Sequence, residues 1–356
     1  MRALRRKLAR GALRATFYVA VAGIVMVIFL PVYFLLSLSL MSDTETYNQW
    51  PLPMVPSFSA EFLLEKTDKG YAVAVCGGAS AEPFRLFEGR DAARMAGFVT
   101  RKTNCRLTED ALRRHIAAIG ERESVRFRLP KALWANYVTF FKVTRDAWPS
   151  VLRSLKTALA TVIISLIVGG SAGYAFARYV FRGKGLLRIS VLFVRIFPGV
   201  AIAIPMAVIL SGIGLYDKPM GLALVYAVGQ IALTVWISAS VFMGIPVELE
   251  EAAQVFGASR AGAFLHVTLP MAVPGLAACA MYAFVGSWNE TIQAIVLTQA
   301  NPTFPVVVYQ TLVGSEGMVN LVTAGGVAMA VPAVVFTLII RRHLLRMWGG
   351  ASSWRP

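Results

Sequence analysis

The sequence predicts an all-α membrane protein of six transmembrane helices, with a small extracytoplasmic α+β insertion between helices 1 and 2. Three observations support this prediction. The 356 residues are 57% hydrophobic with a mean hydropathy of +0.63, whereas soluble domains are usually about 45–50% apolar. The apolar residues fall into six long runs. Charged residues are only 15% of the chain and collect between the runs, with 13 of the 19 acidic residues at positions 41–148.

The chain begins with a basic segment and a long apolar run. Six basic residues and no acidic residue precede the run: Arg2, Arg5, Arg6, Lys7, Arg10 and Arg14. The run, Thr16–Leu40, has 25 residues, which exceeds the roughly 7–15 residues of a signal-peptide core. We therefore expect a retained transmembrane anchor. Basic residues favour the cytoplasmic side of a span, so the N-terminus is predicted to be cytoplasmic.

Residues 41–148 form the predicted insertion on the opposite side of the membrane. Short strands are expected at Tyr71–Cys76 and Phe84–Phe87, around a turn at Gly77–Gly78. Thr108 is a predicted cap of a helix. The residues that share the apolar face of this helix are Leu112, Ile116 and Ile119. The insertion is either an ordered spacer or a docking surface for an external partner.

Two of the three cysteines, Cys76 and Cys105, lie in the insertion. Outside the cytoplasm two such thiols can oxidise to a disulfide, and two free thiols are the alternative that the sequence leaves open. The third, Cys279, lies in an apolar run and is expected to be an inert packing residue.

Five further apolar runs follow the insertion. They lie at about Ser154–Ala177, Leu186–Gly212, Met220–Phe242, Pro270–Thr298 and Thr323–Ile340. At 1.5 Å per residue, helices of this length suit a hydrocarbon core about 30 Å thick. Basic residues cluster after the second span and at the C-terminal end: Arg178, Arg182, Lys184 and Arg188, then Arg341, Arg342 and Arg346. This pattern predicts that both termini are cytoplasmic.

The predicted domains follow from these runs. They are 1–40 (cytoplasmic N-terminus and helix 1), 41–148 (the insertion), 149–345 (helices 2–6) and 346–356 (a cytoplasmic tail). The third of these domains contains a cytoplasmic loop at 243–269, between helices 4 and 5.

This loop has the pattern of a short rigid helix followed by a sharp turn. Pro246 suits a first helical turn, and Glu248, Glu250 and Glu251 favour the positive end of the helix dipole. One face of the helix is apolar and includes two small residues; it consists of Leu249, Ala252, Ala253 and Phe256. Gly257 suits a left-handed helix end. Ser259 suits the cap of a second helix to Val267, before the chain returns to the membrane at Pro270.

These residues resemble a known loop. Glu251-Ala252-Ala253, then Gly257, then Leu269-Pro270 match the EAA loop in the membrane subunits of binding-protein-dependent ABC importers. The resemblance implies a type I ABC importer permease fold, in which this loop docks on a cytoplasmic ATPase subunit. It assigns that coupling role to Glu251, Ala252, Ala253, Phe256, Gly257, Leu269 and Pro270. Phe256 departs from the family pattern, which has Asp at this position.

Further motifs are similar to the carbohydrate branch of the family, the group of the maltose permease G subunit. They are Asn136-Tyr137, Gly173-Tyr174-Ala175-Phe176-Ala177-Arg178, Ile204-Pro205 and Trp288-Asn289-Glu290. The resemblance implies import of a small sugar through the inner membrane. It implies a second permease subunit (a heterodimer), an ATPase dimer that holds ATP and Mg²⁺, an extracytoplasmic substrate-binding protein, and lipid as partners. No cofactor is expected in this chain, which has no P-loop.

Polar residues inside the predicted spans are candidates for a substrate path, because polar groups at membrane depth usually face protein or water. The candidates are Arg195, Gln230, Trp288, Asn289 and Glu290. The alternative is structural: Arg195 reaches an interface, and the others bond neighbouring helices.

Other functions fit the sequence less well. A net charge of +16 occurs in nucleic-acid-binding proteins, but here the basic residues flank apolar runs, so we expect no nucleic acid. A sensor or enzyme acting through the insertion lacks a recognisable catalytic cluster, and no metal-ligand motif is present. A channel or secondary carrier leaves the loop without a purpose. Polyamine-like importers share the loop and remain the alternative to sugar import.

Overall fold

The computed structural model describes residues 2–48, 55–76, 83–120, 123–314 and 318–349. The chain divides into two compact units. One consists of Met1–Val143 and Gly314–Ala328, and the other of Thr144–Val313 and Met329–Pro356. Both are built mainly of helices, and the four described strands all belong to the first.

The first unit begins with a long helix, α1 (Arg2–Leu40), and a short one, α2 (Asp43–Asn48). The apolar side chains of α1 from Phe17 to Val32 are almost all exposed, as in a helix that lies in lipid or against another chain. The elements that follow are β1 (Ser59–Thr67), β2 (Gly70–Cys76), β3 (Phe84–Gly89), α3 (Ala92–Thr103), α4 (Glu109–Ile119), β4 (Ser124–Pro130) and α5 (Ala135–Val143). We call residues 59–130 the sheet lobe.

The sheet lobe is a four-stranded antiparallel sheet with one face covered by helices. The strand order is β3-β2-β1-β4. The core lies between the sheet and the helices α3 and α4, and its buried side chains include Phe62, Leu64, Val73, Met95, Val99 and Leu112. Ser59 pairs with Pro130, so the lobe begins and ends at neighbouring positions. This confirms the predicted small α+β insertion.

The local predictions inside the lobe are confirmed where the structure describes them. The expected strands are β2 and β3, which pair with each other, although their turn at Gly77–Gly78 lies outside the described residues. The Thr108 hydroxyl accepts a hydrogen bond from the Ala111 amide and caps α4. Leu112 and Ile119 on its apolar face are buried. The sequence reasoning missed β1, β4 and α3, although β4 alternates in polarity from Ser124 to Pro130.

A disulfide between Cys76 and Cys105 is not formed, and both thiols are free. Cys76 lies in β2, whereas Cys105 pairs with Lys131 just beyond the end of β4. Strand β1 lies between β2 and β4, and two strand spacings of about 4.8 Å exceed the roughly 7 Å Cα separation that a disulfide bridges. Cys105 is also fully buried, and burial raises the pKa of its thiol, which lowers its reactivity.

The sheet lobe is fixed to the helices of its own unit by buried polar contacts. Lys131 forms an ion pair with Glu45 of α2, and Lys102 of α3 forms one with Asp43. The Glu45 carboxylate also accepts hydrogen bonds from Ser42. Because Lys131 and Glu45 are paired and Glu45 accepts further hydrogen bonds, these two charges can be buried at modest cost.

A single amide, Asn136 of α5, joins four segments of the first unit. Its Nδ2 donates to the carbonyl oxygens of Ser39 (2.8 Å) and Met41 (2.7 Å) at the end of α1. Its Oδ1 accepts from the Nδ2 atoms of Asn104 (2.9 Å) in the sheet lobe and Asn320 (3.1 Å). Two donors and two acceptor sites are the full capacity of an amide side chain, so Asn136 is completely satisfied while buried.

The second unit contains ten helices in chain order. They are α6 (Ala147–Ile164), α7 (Gly170–Arg178), α8 (Lys184–Phe193), α9 (Gly199–Gly212), α10 (Pro219–Met243), α11 (Glu248–Val255), α12 (Arg260–Ala263), α13 (Leu269–Trp288), α14 (Ile292–Leu297) and α15 (Phe304–Gly314). Helix α16 (Val319–Gly349) follows, and its residues from Met329 belong to this unit. Single π-helical turns at Ser165–Gly169 and Phe264–Thr268 connect α6 to α7 and α12 to α13.

Five described helical stretches are long and apolar enough to cross a membrane. They are Arg14–Leu40, Ala147–Arg178, Pro219–Met243, Arg260–Trp288 and Val319–His343. A bent pair of helices, Lys184–Ile196 and Gly199–Gly212, is together as long and apolar, and forms one broken span or a re-entrant loop. The two helices meet at 92° next to Pro198, because proline removes a backbone donor and breaks a helix. We call this pair the broken span. The described fold is therefore mainly helical, with five long apolar helices, the broken span and a small sheet insertion.

The predicted fifth span, Pro270–Thr298, is displaced along the chain. The helical stretch begins at Arg260 and ends at Trp288, and α14 is separate. Pro270 does not mark a return to the membrane after a break, because it occupies the first turn of α13 directly after the π-helical turn. The wider turn gives the proline ring room where a regular helix would clash with it.

Three glycines let the spans of the second unit pack closely. A Cβ atom on Gly169 or Gly173 would overlap Thr234 or Ser238 of α10, and one on Gly275 would overlap Val241. Close backbone approach at small residues is the usual way in which helices associate in a membrane.

Candidate functional site

The loop at 243–269 forms a helix, a turn and a second helix, as predicted. Helix α11 ends at Val255 and is followed at Gly257 by a φ of +93°, the left-handed conformation expected there. The Ala258 amide donates to the Ala253 carbonyl and closes the turn. The Ser259 hydroxyl accepts from the Gly262 amide and caps α12. Local chemistry therefore fixes the direction of the chain on both sides of Gly257.

The tip of this loop presents apolar surface to solvent. Val255 is 85% exposed and Phe256 is 92% exposed. Of the other predicted coupling residues, Glu251, Ala252, Gly257 and Pro270 are exposed, and Ala253 and Leu269 are half-buried. Large apolar side chains at such exposure are the mark of a binding surface. We call Glu251–Gly257 the loop tip.

Glu250 is buried next to the loop tip, where its carboxylate accepts three hydrogen bonds and forms an ion pair. Arg178 donates to its Oε1 from Nε at 2.8 Å, with Nη2 of the same side chain also 2.8 Å away. The Thr268 hydroxyl donates to Oε1 at 2.6 Å, and the Tyr174 hydroxyl donates to Oε2 at 2.8 Å. Arg178 also donates to the Ile245 carbonyl at 3.0 Å. The start of α11 is thereby fixed to the end of α7 and the start of α13.

The ionised form of Glu250 is stabilised by these partners. Burial raises the pKa of its carboxyl, but the hydrogen bonds from Thr268, Tyr174 and Arg178, together with the charge of Arg178, hold that pKa below its usual value. The ion pair is therefore present at neutral pH.

The sequence reasoning assigned Glu250 only to the helix dipole and gave no role to Thr268. A signal was available for the other partners. Tyr174 and Arg178 are four residues apart, so they share one face of a helix, and both lie at the C-terminal end of the second apolar run. The burial of Glu250 depends on residues that are distant in sequence, and no local pattern reveals it.

A polar cavity of about 270 Å³ lies beside the broken span. Three of the five substrate-path candidates line it together: Arg195 before the break, Gln230 of α10 and Glu290 after α13. Neither Arg195 nor Glu290 forms an ion pair with any residue that the structure describes. Glu290 Oε1 accepts a hydrogen bond from the backbone amide of Gln293, in the first turn of α14, at 3.1 Å.

Two further polar residues, which were not predicted from the sequence, also line this cavity. They are Tyr226 of α10 and Gln293 of α14. The Tyr226 hydroxyl and the Gln293 Oε1 are buried without a hydrogen-bond partner among the described residues. The side-chain amide of Gln230 lies against Gly286, and that of Gln293 lies against Gly199. A Cβ atom at either glycine would overlap the neighbouring amide. Glycine at these two positions therefore makes room for the amides.

The other two substrate-path candidates do not line the cavity. Trp288 is fully buried, donates from Nε1 to the Met329 carbonyl at 2.9 Å, and stacks on Phe284. Its ring face is occupied by packing, as in the structural alternative. Asn289 is the C-terminal cap of α13 and is exposed.

In the described part of the chain, no group of three or more His, Cys, Asp or Glu side chains is arranged to hold a metal ion.

Comparison with known proteins identifies the family. The profile of the family "binding-protein-dependent transport system inner membrane component" matches residues 165–348. The chain is 34% identical over 215 residues to the trehalose transport system permease protein SugB of Mycobacterium tuberculosis, covering 59% of this chain and 78% of that one. It is 26% identical over 212 residues to the arabinooligosaccharides transport system permease protein AraQ of Halalkalibacterium halodurans, covering 59% and 75%.

A solved structure has the same fold. The crystal structure of a bacterial ABC transporter involved in the import of the acidic polysaccharide alginate contains a chain that superposes with a TM-score of 0.60 at 17% identity. The superposition covers 93% of this chain and 96% of that one, so it extends beyond the helices into the sheet lobe. Members of the family are permease subunits of ABC transporters rather than enzymes. The family profile matches just over half of the chain, so the chain belongs to the family of binding-protein-dependent transport system inner membrane components.

Proposed function

We propose that the protein is one membrane-spanning subunit of an ATP-driven importer that takes a small sugar from a substrate-binding protein. The relatives named for trehalose and arabinooligosaccharides support a sugar, as does the alpha-glucoside transport system permease protein AglG of Rhizobium meliloti, at 29% identity. The motif Trp288-Asn289-Glu290 points the same way.

The observation that carries the proposal is the exposed loop tip above a buried anchor. Glu250 and Arg178 fix the base of α11, while Val255 and Phe256 project into solvent. A rigid helix with an exposed apolar end can bind a partner and transmit the partner's movement to the spans to which the helix is fixed. The partner is an ATPase dimer, which binds ATP and Mg²⁺ and hydrolyses ATP. Phe256 replaces a polar contact with an apolar one at this interface.

The proposed location is the inner membrane, with both termini in the cytoplasm. The basic clusters at the N-terminus, after α7 and at the end of α16 support this orientation. A second permease subunit completes the pathway as a heterodimer. The exposed apolar length of α1 provides surface for lipid and for such a subunit.

The sheet lobe lies outside the cytoplasm in this orientation, where the substrate-binding protein docks. We assign it a docking role for two reasons. It has its own core of buried residues, so its surface keeps a defined shape. It is also tied to α2 by the ion pair of Lys102 with Asp43 and to α5 by the hydrogen bond from Asn104 to Asn136, so a force applied to the lobe reaches the helices of its unit.

Purification of the tagged full-length chain from its own host, in a mild detergent, tests the proposal. We expect an ATPase subunit and a second multi-span permease to co-purify, and the complex to hydrolyse ATP faster when a sugar-loaded binding protein is added. A chain that purifies alone, or only with copies of itself, contradicts the proposal.

A further inference from the structure

The cavity beside the broken span contains polar groups that no described residue satisfies. The Tyr226 hydroxyl and the Gln293 Oε1 are both buried without a partner among the described residues. Leaving such a group unpaired costs about 1–3 kcal/mol, and the cost persists unless a ligand or water supplies the missing bonds. Two unsatisfied groups at one cavity therefore indicate a polar occupant.

The charges of the lining favour a neutral occupant. Arg195 and Glu290 contribute one positive and one negative charge, and no ion pair in the described chain neutralises either one. A charged ligand would meet a like charge within the same small volume, and the repulsion would offset the attraction. A neutral molecule with several hydroxyl groups can donate to Glu290 and accept from Arg195 at the same time.

The remaining groups suit hydroxyls as well. The amides of Gln230 and Gln293 and the Tyr226 hydroxyl can each donate or accept a hydrogen bond. The side-chain amides of Gln230 and Gln293 lie close to the backbone at Gly286 and Gly199. This limits the freedom of the two amides to move away from a ligand. At about 270 Å³, the cavity is just below the roughly 300–1,000 Å³ of sites for drug-sized molecules, so it suits one sugar ring rather than a longer saccharide.

We propose that this cavity is a subsite within this subunit that holds one ring of a neutral sugar during transport. Tyr226, Gln293 and Gln230 bond its hydroxyls, and Arg195 and Glu290 select for neutrality. This inference rests on the proposed function. It differs from the path predicted from sequence alone, because it excludes Trp288 and Asn289 and adds Tyr226 and Gln293.

The test uses two variants that keep side-chain size, Tyr226→Phe and Gln293→Met. They are assayed in the whole complex with its ATPase and binding protein, reconstituted in liposomes. The probes are radiolabelled trehalose, maltose and cellobiose, each offered with the binding protein in excess. We expect uptake of the transported sugar to fall about 3- to 10-fold in each variant, which corresponds to the loss of one hydrogen bond.

Two further readouts separate a binding role from a structural one. ATP hydrolysis stimulated by the binding protein is expected to fall less than uptake does, because the ATPase and the loop tip are the same in both variants. The melting temperature of the Tyr226→Phe complex is expected to stay equal or rise, because the variant removes an unpaired buried hydroxyl. Tyr216→Phe is the matched control: this hydroxyl donates to the Val296 carbonyl at 3.3 Å and does not line the cavity. It is expected to lower the melting temperature slightly and to leave uptake unchanged.

The outcomes distinguish the inference from the function on which it rests. If the unaltered complex takes up none of the three sugars, the proposed function and the inference both fail. If it takes up a sugar and both variants match its rate, the inference alone fails. Parallel loss of uptake, hydrolysis and melting temperature in both variants also overturns it, because the residues are then structural.

Discussion

Arg178 and Glu250 form a buried ion pair between the end of α7 and the start of α11, with Nη2 and Oε1 2.8 Å apart. Their side chains are only 11% and 9% exposed. A pair at this depth is costly to break, since removal of one partner leaves the other charge buried and uncompensated. The pair therefore fixes α11 to α7, as the proposed coupling role requires.

Replacement of Arg178 by Met tests this link. We expect a local destabilisation of about 3–5 kcal/mol, because Glu250 is left buried without its cation. Protease cleavage near α11 in the purified complex should become faster, and sugar uptake should fall by at least tenfold.

The double variant Arg178→Met, Glu250→Leu is the matched control, because it removes both charges. It should recover most of the protease resistance, as apolar residues of similar volume often replace a buried pair at little cost. Equal cleavage rates for the single variant and the unaltered chain would contradict the anchoring role.

Gly257→Leu tests the turn at the end of α11. The φ of +93° is one that a side chain tolerates poorly, and the cost of adopting a left-handed conformation is about 1–2 kcal/mol. No atom lies within 4 Å of a Cβ placed there, so within this chain the effect is conformational rather than steric. We expect reduced assembly with the ATPase and reduced uptake.

Gly185→Leu is the control for that variant. Gly185 also has open space around a Cβ atom, but it lies in the first turn of α8 without a positive φ. It should assemble and transport normally. Normal uptake by Gly257→Leu would show that the turn conformation has no part in coupling.

The part of this structure that the sequence predicts is the part determined by neighbouring residues. Gly257, Ser259 and Thr108 act on chain segments within a few residues of themselves, so each role is readable from the sequence. Glu250 meets Arg178 across 72 positions, and β1 meets β4 across a comparable length. Such pairings depend on how the elements pack, and no local pattern encodes them.

The polar cavity shows the same limit. Arg195, Gln230 and Glu290 can be recognised in the sequence as polar residues in apolar runs. Tyr226 gives no such signal, because a tyrosine does not interrupt an apolar run. Gln293 gives none either, because its segment looks like the end of a helix. Their importance depends on the absence of a hydrogen-bond partner, which only the three-dimensional arrangement reveals.

Removal of the sheet lobe tests its docking role. Ser59 and Pro130 are paired neighbours across β1 and β4, so a linker of about four Gly and Ser residues can join positions 59 and 130, about 5 Å apart. The loop tip belongs to the other unit, so the shortened chain should still assemble with the ATPase. Stimulation of ATP hydrolysis by the binding protein should be lost. Full stimulation would make the lobe a spacer.

Acid is expected to loosen the attachment of the sheet lobe. Burial raises the pKa of Glu45, but Lys131 and the hydrogen bonds from Ser57 and Ser42 hold it below the usual value. A lowered pKa in the folded state means that the ion pair contributes stability above about pH 4.5 and loses it as the pH falls through the folded value. The protection factors of the β4 amides, which are corrected for the intrinsic pH dependence of exchange, should therefore fall below about pH 4.5.

The double variant Glu45→Gln, Lys131→Met isolates this contribution, because it removes the titrating group and its cation together. In this variant the protection factors of the β4 amides should depend less on pH in the same range. If the unaltered chain and this variant have the same pH profile, Glu45 does not control the attachment.

The central claim is that the loop tip docks on the ATPase. A photo-reactive phenylalanine analogue at position 256 tests it directly, because Phe256 is 92% exposed and points away from its own chain. The same analogue at Phe58, an exposed residue at the edge of the sheet lobe, is the control. The account predicts that illumination of native membranes joins position 256, and not position 58, to an ATPase subunit. Cross-linking of position 256 to lipid alone, or of both positions to the same partner, would contradict it.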